Sequence, residues 1–110
     1  MNFEVKYTSD FKQSLKKIAK KQRSIHDDLL ILIEQLEIKP QLGIQIRPNL
    51  YKIRLNISGS NKGKSGGARV ITYVVLIKEI VFLAEIYLKS EFDTIDEDLL
   101  IERLVLQGYI

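Results

Sequence analysis

Residues 3–7 alternate Phe3, Val5 and Tyr7 with Glu4 and Lys6, the period-two pattern of a half-buried strand. Thr8 or Ser9 follows as a helix cap, with Asp10 in the first turn, where a carboxylate complements the helix dipole. Beyond it Phe11, Leu15, Ile18 and Ala19 fall on one helical stripe, while Lys12, Lys16 and Lys20 recur every fourth residue on another face. That lysine face reads first as solvated surface. A second helix is predicted after Ser24, whose spacing to Asp27 resembles a capping box. Ile25, Leu29, Leu32, Ile33 and Leu36 keep the helical period until Pro40 and Gly43 end it. His26 falls in its first turn as a surface residue, and Leu30 and Ile31 stand off its apolar stripe. Residues 41–49 read as a loop.

Period two returns at 50–57, with Tyr51, Ile53, Leu55 and Ile57 on one face and Lys52, Arg54 and Asn56 on the other. The nearly continuous apolar runs 68–76 and 80–88, joined through Ile77-Lys78-Glu79, predict two further strands covered on at least one face. A capping box at Thr94-Ile95-Asp96-Glu97 precedes Leu99, Leu100 and Leu104, with Gly108 as the stop. The order β, α, α, β, β, β, α predicts one α+β domain over residues 1–110. It should hold a small antiparallel sheet, two N-terminal helices and a short C-terminal helix, with the helices on one side.

Composition narrows the chemistry. At 110 residues and 45% hydrophobic content the chain has material for one modest core. It has no cysteine and one histidine, so it has no disulfide, no thiolate metal site and no histidine cluster, and neither cofactor nor metal is expected. No run approaches the roughly 18 apolar residues of a membrane span, and the first residues lack an apolar signal core. A cytoplasmic protein without a membrane partner is the expectation.

Net charge is only +3, but it is unevenly spread. No acid occurs between Glu37 and Glu79, a window holding Lys39, Arg47, Lys52, Arg54, Lys62, Lys64, Arg69 and Lys78. From Glu79 onward eight acids face only Lys89 and Arg103. A basic middle and an acidic tail point to a polyanionic partner. Gly63-Lys64-Ser65 imitates the end of a P-loop, yet the position of its first glycine holds Ser58, and the following residues predict a strand where a P-loop needs a helix. The four glycines at 59, 63, 66 and 67 exceed what a tight hairpin needs, which suits close approach to a ligand.

The element order, with Leu50-Tyr51-Lys52-Ile53-Arg54-Leu55, Gly63-Lys64-Ser65-Gly66-Gly67-Ala68-Arg69-Val70-Ile71 and Ile86-Tyr87-Leu88-Lys89-Ser90-Glu91, resembles the RelE/ParE toxin superfamily, and within it the HigB-like branch. The resemblance covers nearly the whole chain. It implies a toxin of a bacterial type II toxin–antitoxin system that cuts messenger RNA on the ribosome. A cognate antitoxin from a neighbouring gene, the ribosome and mRNA are its implied partners, and a higher-order toxin–antitoxin complex is a further one. ParE relatives share the fold but poison DNA gyrase, so gyrase inhibition is the alternative, with a non-catalytic nucleic-acid-binding module as a third reading. Carried over position by position, the family's basic residues match Lys52, Arg54, Arg69 and Lys89. An arginine and a tyrosine of RelE are replaced by Ser90 and by a residue near Ile95 or Asp96, which shifts the burden to hairpin and strand cations.

Cutting RNA without a metal requires removal of the 2′-hydroxyl proton, stabilisation of the phosphorane and neutralisation of the leaving 5′-oxygen. Arg54 and Arg69 suit the second task, because guanidinium groups are planar, bidentate and permanently charged. Lysine accepts a proton only where crowded cations make it less basic, and Lys52 and Lys89 are the candidates. Lys62 and Lys64 would bind RNA or ribosomal phosphates, and Tyr73 and Tyr87 would stack on a base or donate to the phosphate. The basic face of Lys52, Arg54 and Arg69, or the lysine side of the first two helices near Leu30 and Ile31, would receive the antitoxin.

Overall fold

The computed structural model describes residues 2–59 and 67–110. The alternating segment at the start forms β1 (Glu4–Tyr7), and the chain turns at Thr8 into α1 (Ser9–Ala19). Thr8 is fully buried and joins three elements. Its Oγ1 accepts the Phe11 amide at 3.2 Å, capping α1, and donates to the Leu83 carbonyl at 2.8 Å. Helix α2 (Ile25–Ile38) follows, then β2 (Ile44–Arg47), β3 (Leu50–Leu55), β4 (Ala68–Val75), β5 (Ile80–Leu88) and α3 (Glu97–Leu106).

The five strands form one sheet in the order β1-β5-β4-β3-β2. All neighbours run antiparallel except β1, which lies parallel to β5, so the sheet is mixed where an antiparallel one was expected. The α+β class holds. Residues 41–49, expected as loop, contain β2: Ile44 and Ile46 alternate with Gln45 and Arg47, and the strand turns into β3 at Pro48 and Asn49, the latter at φ 67°. Gly43 enters this hairpin at φ +95°, and a Cβ there would meet the Lys52 carbonyl and come within 2.8 Å of Ile53. Gly43→Ala is therefore expected to cost about 2 kcal/mol, through backbone strain and overpacking. Thermal melting should show this as a drop of roughly 8–16 °C.

Side-chain parity sends Tyr51, Ile53, Leu55, Ala68, Val70, Val74, Val81, Leu83 and Ile86 to one face of the sheet. There they pack with Phe11, Leu15 and Ile18 of α1 and Ile25, Leu29, Leu32 and Leu36 of α2. The opposite face carries Leu50, Ile71, Ala84 and Tyr87, covered by Leu100 and Leu104 of α3. Helices thus lie on both faces, not on one side as the element order suggested, because β3 and β5 bear apolar side chains on both of their faces. A bulge makes this possible in β5: Ile71 pairs with Glu85 but Thr72 pairs with Leu83, so Ala84 is extra and the alternation is reset.

Capping differs in detail from the predicted boxes. Ser24 is helical itself and makes no side-chain cap; its Oγ accepts the Gly59 amide at 3.0 Å, while Asp28 accepts the Ser58 amide at 2.9 Å. The start of α2 thereby holds the strand end that leads toward residue 60. At α3 the cap is Asp96, accepting the Leu99 amide at 3.1 Å, two residues after the predicted Thr94.

Candidate functional site

Strand register arranges the sheet face beneath α3 in rows. Arg54 lies directly opposite Arg69, and Arg69 opposite Tyr87, giving one row across β3, β4 and β5. The next row is Lys52, Ile71 and Glu85, and the far row is Leu50, Tyr73 and Phe82. Facing residues in such a ladder have Cβ atoms about 5 Å apart, so two permanent cations are held side by side. Leu100 and Leu104 pack on this face with Leu50, Ile71, Ala84 and Tyr87, while Arg54 is exposed and Arg69 half-buried.

None of the four ion pairs among the described residues includes Lys52, Arg54 or Arg69. Among the described residues, two acids of the tail are paired elsewhere. Asp98 pairs with Arg47 at 2.7 Å, Asp93 with Lys89 at 3.4 Å, and Arg103 grips Asp10 through Nε and Nη2 at 2.6 and 2.7 Å. Like charges placed directly opposite destabilise a sheet, by up to about 1 kcal/mol, unless something anionic sits between them. Arg69 Nη1 donates to the Ala68 carbonyl at 3.2 Å, and neither arginine has an anionic partner among the described residues.

Tyr87 completes the row. The ring is only 5% exposed and meets Phe92 edge-on, with centroids 6.3 Å apart, so it offers no face for a base to stack on. Its hydroxyl is buried and without a hydrogen-bond partner among the described residues. Burial pushes the Tyr87 hydroxyl up from the ordinary tyrosine value, and the nearby Arg69 only partly offsets this. The group stays protonated at neutral pH, a donor in need of an acceptor.

The other predicted residues fall in different places. Lys52 is half-buried one row away from the arginines. Lys89 lies just beyond β5, its amide donating to the Gly67 carbonyl at 3.1 Å and its ammonium held by Asp93. Tyr73 shares the face of Arg69 but sits four residues along β4, about 13 Å away, in a separate cleft of about 400 Å³ with Asn49, Tyr109 and Ile110. Lys62 and Lys64, with most of the glycine-rich turn, lie outside the described residues. Among the described residues no group of three or more His, Asp or Glu converges to hold a metal ion. Nor is any helix there long and apolar enough to cross a membrane.

Glu85 is a site residue that the sequence pattern does not single out. It lies in a cleft of about 250 Å³ under α3, with Asp10, Ser14 and Arg103. Burial raises its carboxyl above the usual value despite the Ile86 amide at 2.9 Å. Asp10 moves the opposite way, its carboxyl lowered chiefly by the Arg103 hydrogen bonds. The linkage signs follow. Asp10 contributes stability that is present above its unfolded value and lost as pH falls through its lowered folded one. Glu85, ionised, is a burden above its raised folded value, relieved as pH falls through it toward the unfolded one. Glu85→Gln should thus raise Tm at neutral pH and leave it unchanged in acid. Asp10→Asn should lower Tm at neutral pH, with the difference shrinking in acid; paired melts across that range check both.

No protein-family model matches the chain, and no curated protein matches it in sequence. Solved structures do match. One is the Escherichia coli toxin RelE, in the free state and with two arginines replaced by alanine: TM-score 0.55, 18% identity, covering 78% of this chain and 82% of that one. Another is the intact E. coli RelBE toxin–antitoxin complex, with TM-score 0.54 and 18% identity over 76% of this chain and 93% of the matched one. Mixed sheet, flanking helices and these matches together give the chain a RelE-like fold.

Proposed function

We propose that residues 1–110 form a single toxin domain of a type II toxin–antitoxin system, a HigB-like, ribosome-dependent mRNA endoribonuclease acting in the cytoplasm. The observation that carries this reading is the Arg54–Arg69 pair, two arginines directly opposite in register and outside every ion pair described, in one row with Tyr87, whose hydroxyl has no partner among the described residues. A scissile phosphate bridging the two arginines would relieve their repulsion and give Tyr87 its acceptor. The gain grows as the phosphorane accumulates charge, so the arrangement favours the transition state over the ground state.

In the reaction the 2′-oxygen attacks phosphorus as its proton passes to a base, for which Lys52 is the nearest lysine in register and Lys89 the second. The bond from phosphorus to the 5′-oxygen breaks and that oxygen takes a proton, leaving a 2′,3′-cyclic phosphate. In this reading Tyr87 stabilises the equatorial oxygens or protonates the leaving oxygen. Lys62 and Lys64 bind RNA phosphates, contacts that position the substrate without exact geometry. The neutralising partner is an antitoxin, by analogy with the matched E. coli RelBE toxin–antitoxin complex.

Brief expression in bacteria separates this from gyrase inhibition. Under the nuclease reading incorporation of labelled leucine stops first and thymidine incorporation continues. Arrested thymidine incorporation with protein synthesis intact would replace it with the gyrase reading.

A further inference from the structure

In the proposed reaction the Tyr87 hydroxyl must reach phosphate, yet it is buried. Part of what lies against its ring is residues 89–94, which link β5 to α3 and contain neither helix nor strand. Phe92 stands edge-on to Tyr87, the two ring planes at 84°. Every residue from Ser90 to Thr94 is exposed, Phe92 itself by 55%. Among the described residues the segment is tied by the Glu91 and Phe92 amides, which donate to the Leu88 carbonyl at 3.0 and 3.2 Å, and by the ion pair of Lys89 with Asp93. An exposed pair of that kind contributes little, and a segment that buries so little opens locally at low cost.

Register makes this tie sensitive to anions. Arg69 faces Tyr87 and Ala68 faces Leu88, so Lys89, next along the chain, stands beside the arginine row. Asp93 thus occupies a cation that a phosphate oxygen at the row would also seek. We propose that residues 89–94 form a strap over Tyr87, with Phe92 as its cover and the Lys89–Asp93 pair as its latch, opened by an RNA phosphodiester entering the arginine row. The trigger rests on the ribonuclease reading; the cover stands without it. A phosphate oxygen competes with Asp93 for Lys89 and repels the Asp93 and Glu91 carboxylates. The strap lifts, Phe92 leaves the ring, and the hydroxyl gains its acceptor. Exposure of the donor is thereby tied to arrival of the substrate.

The test uses the full chain. Nitration of Tyr87 by tetranitromethane, mapped by peptide mass spectrometry, should rise at least fivefold in Phe92→Ala and at least twofold in Asp93→Asn, both melting as the parent does. The chain has no tryptophan, so Phe92→Trp gives a single reporter of the strap. A six-nucleotide 2′-O-methyl RNA, whose blocked 2′-oxygen cannot attack, should shift its emission to the red and at least double its quenching by acrylamide. Adding Arg54→Ala/Arg69→Ala should remove that response, whereas adding Asp93→Asn should free the reporter without RNA. Tyr87 still protected in Phe92→Ala would overturn the cover. RNA binding, seen in the arginine side-chain signals, with no movement of the reporter would overturn the latch. RNA that fails to bind, with Tyr87 freed in both variants, would support the cover and overturn the phosphate reading together with its trigger.

Discussion

Replacing both Arg54 and Arg69 with alanine is expected to abolish growth inhibition while leaving Tm at or slightly above that of the parent chain. The activity loss follows from removing two charge-assisted donors to a developing dianion; each such donor contributes roughly a hundredfold to a thousandfold in rate. The unchanged stability follows from the ladder, because each arginine is the other's cross-strand neighbour and neither belongs to an ion pair among the described residues. Their removal relieves a repulsion and breaks no packing contact of the core. Growth curves after induction and thermal melts of the purified variants check the two halves together. A folded double variant that still stops growth would move the site elsewhere.

Phe11→Ala is expected to have the largest effect on folding. Phe11 is fully buried, lies edge-on to Tyr7 with ring centroids 5.5 Å apart, and donates its amide to the cap on Thr8. Truncation of a buried phenylalanine costs about 3–5 kcal/mol, against a total stability of about 5–15 kcal/mol for a domain of this size. Urea unfolding should show a lowered midpoint with little change in slope, and Tm should fall by more than about 10 °C. Phe11→Leu, which keeps most of the volume, should lose much less. Near-parental stability of the alanine variant would mean that α1 is not seated on the sheet at this point.

Features set by neighbours in the chain were legible in the sequence. The alternation at 50–57 assigned Tyr51, Ile53 and Leu55 to the core and Lys52 and Arg54 to the other face, as the structure has them. The Asp10 first turn and the α1 stripe were equally readable, since both depend only on helical period. What the sequence could not supply was position along a strand and pairing across the chain. Arg69 and Tyr73 share parity, so they share a face, but parity says nothing of the four-residue separation that puts Tyr73 in another row. The Ala84 bulge was invisible in a run that is apolar on both faces, yet it decides where Glu85 lies. Strand β2 was hidden by Pro40, Gly43 and Pro48, although Ile44-Gln45-Ile46-Arg47 carries the alternation that would have found it. The parallel pairing of β1 with β5 joins segments more than seventy residues apart, for which no local pattern exists.

The charge asymmetry was partly misleading for the same reason. Among the described residues its acidic half meets the basic middle at one ion pair, Asp98 with Arg47; Asp93 pairs with Lys89 inside the tail, and Arg103 of the tail with Asp10 of α1. The residue of it that matters is small: Arg54 and Arg69, with Lys52 in the next row.

Primer extension on defined transcripts translated by purified ribosomes tests the central claim most directly. The parent chain should produce new 5′ ends at codon boundaries in ribosome-bound message only, and Arg54→Ala/Arg69→Ala should produce none while remaining folded. Intact transcripts with the parent chain, or the same cuts with the double variant, would contradict the account.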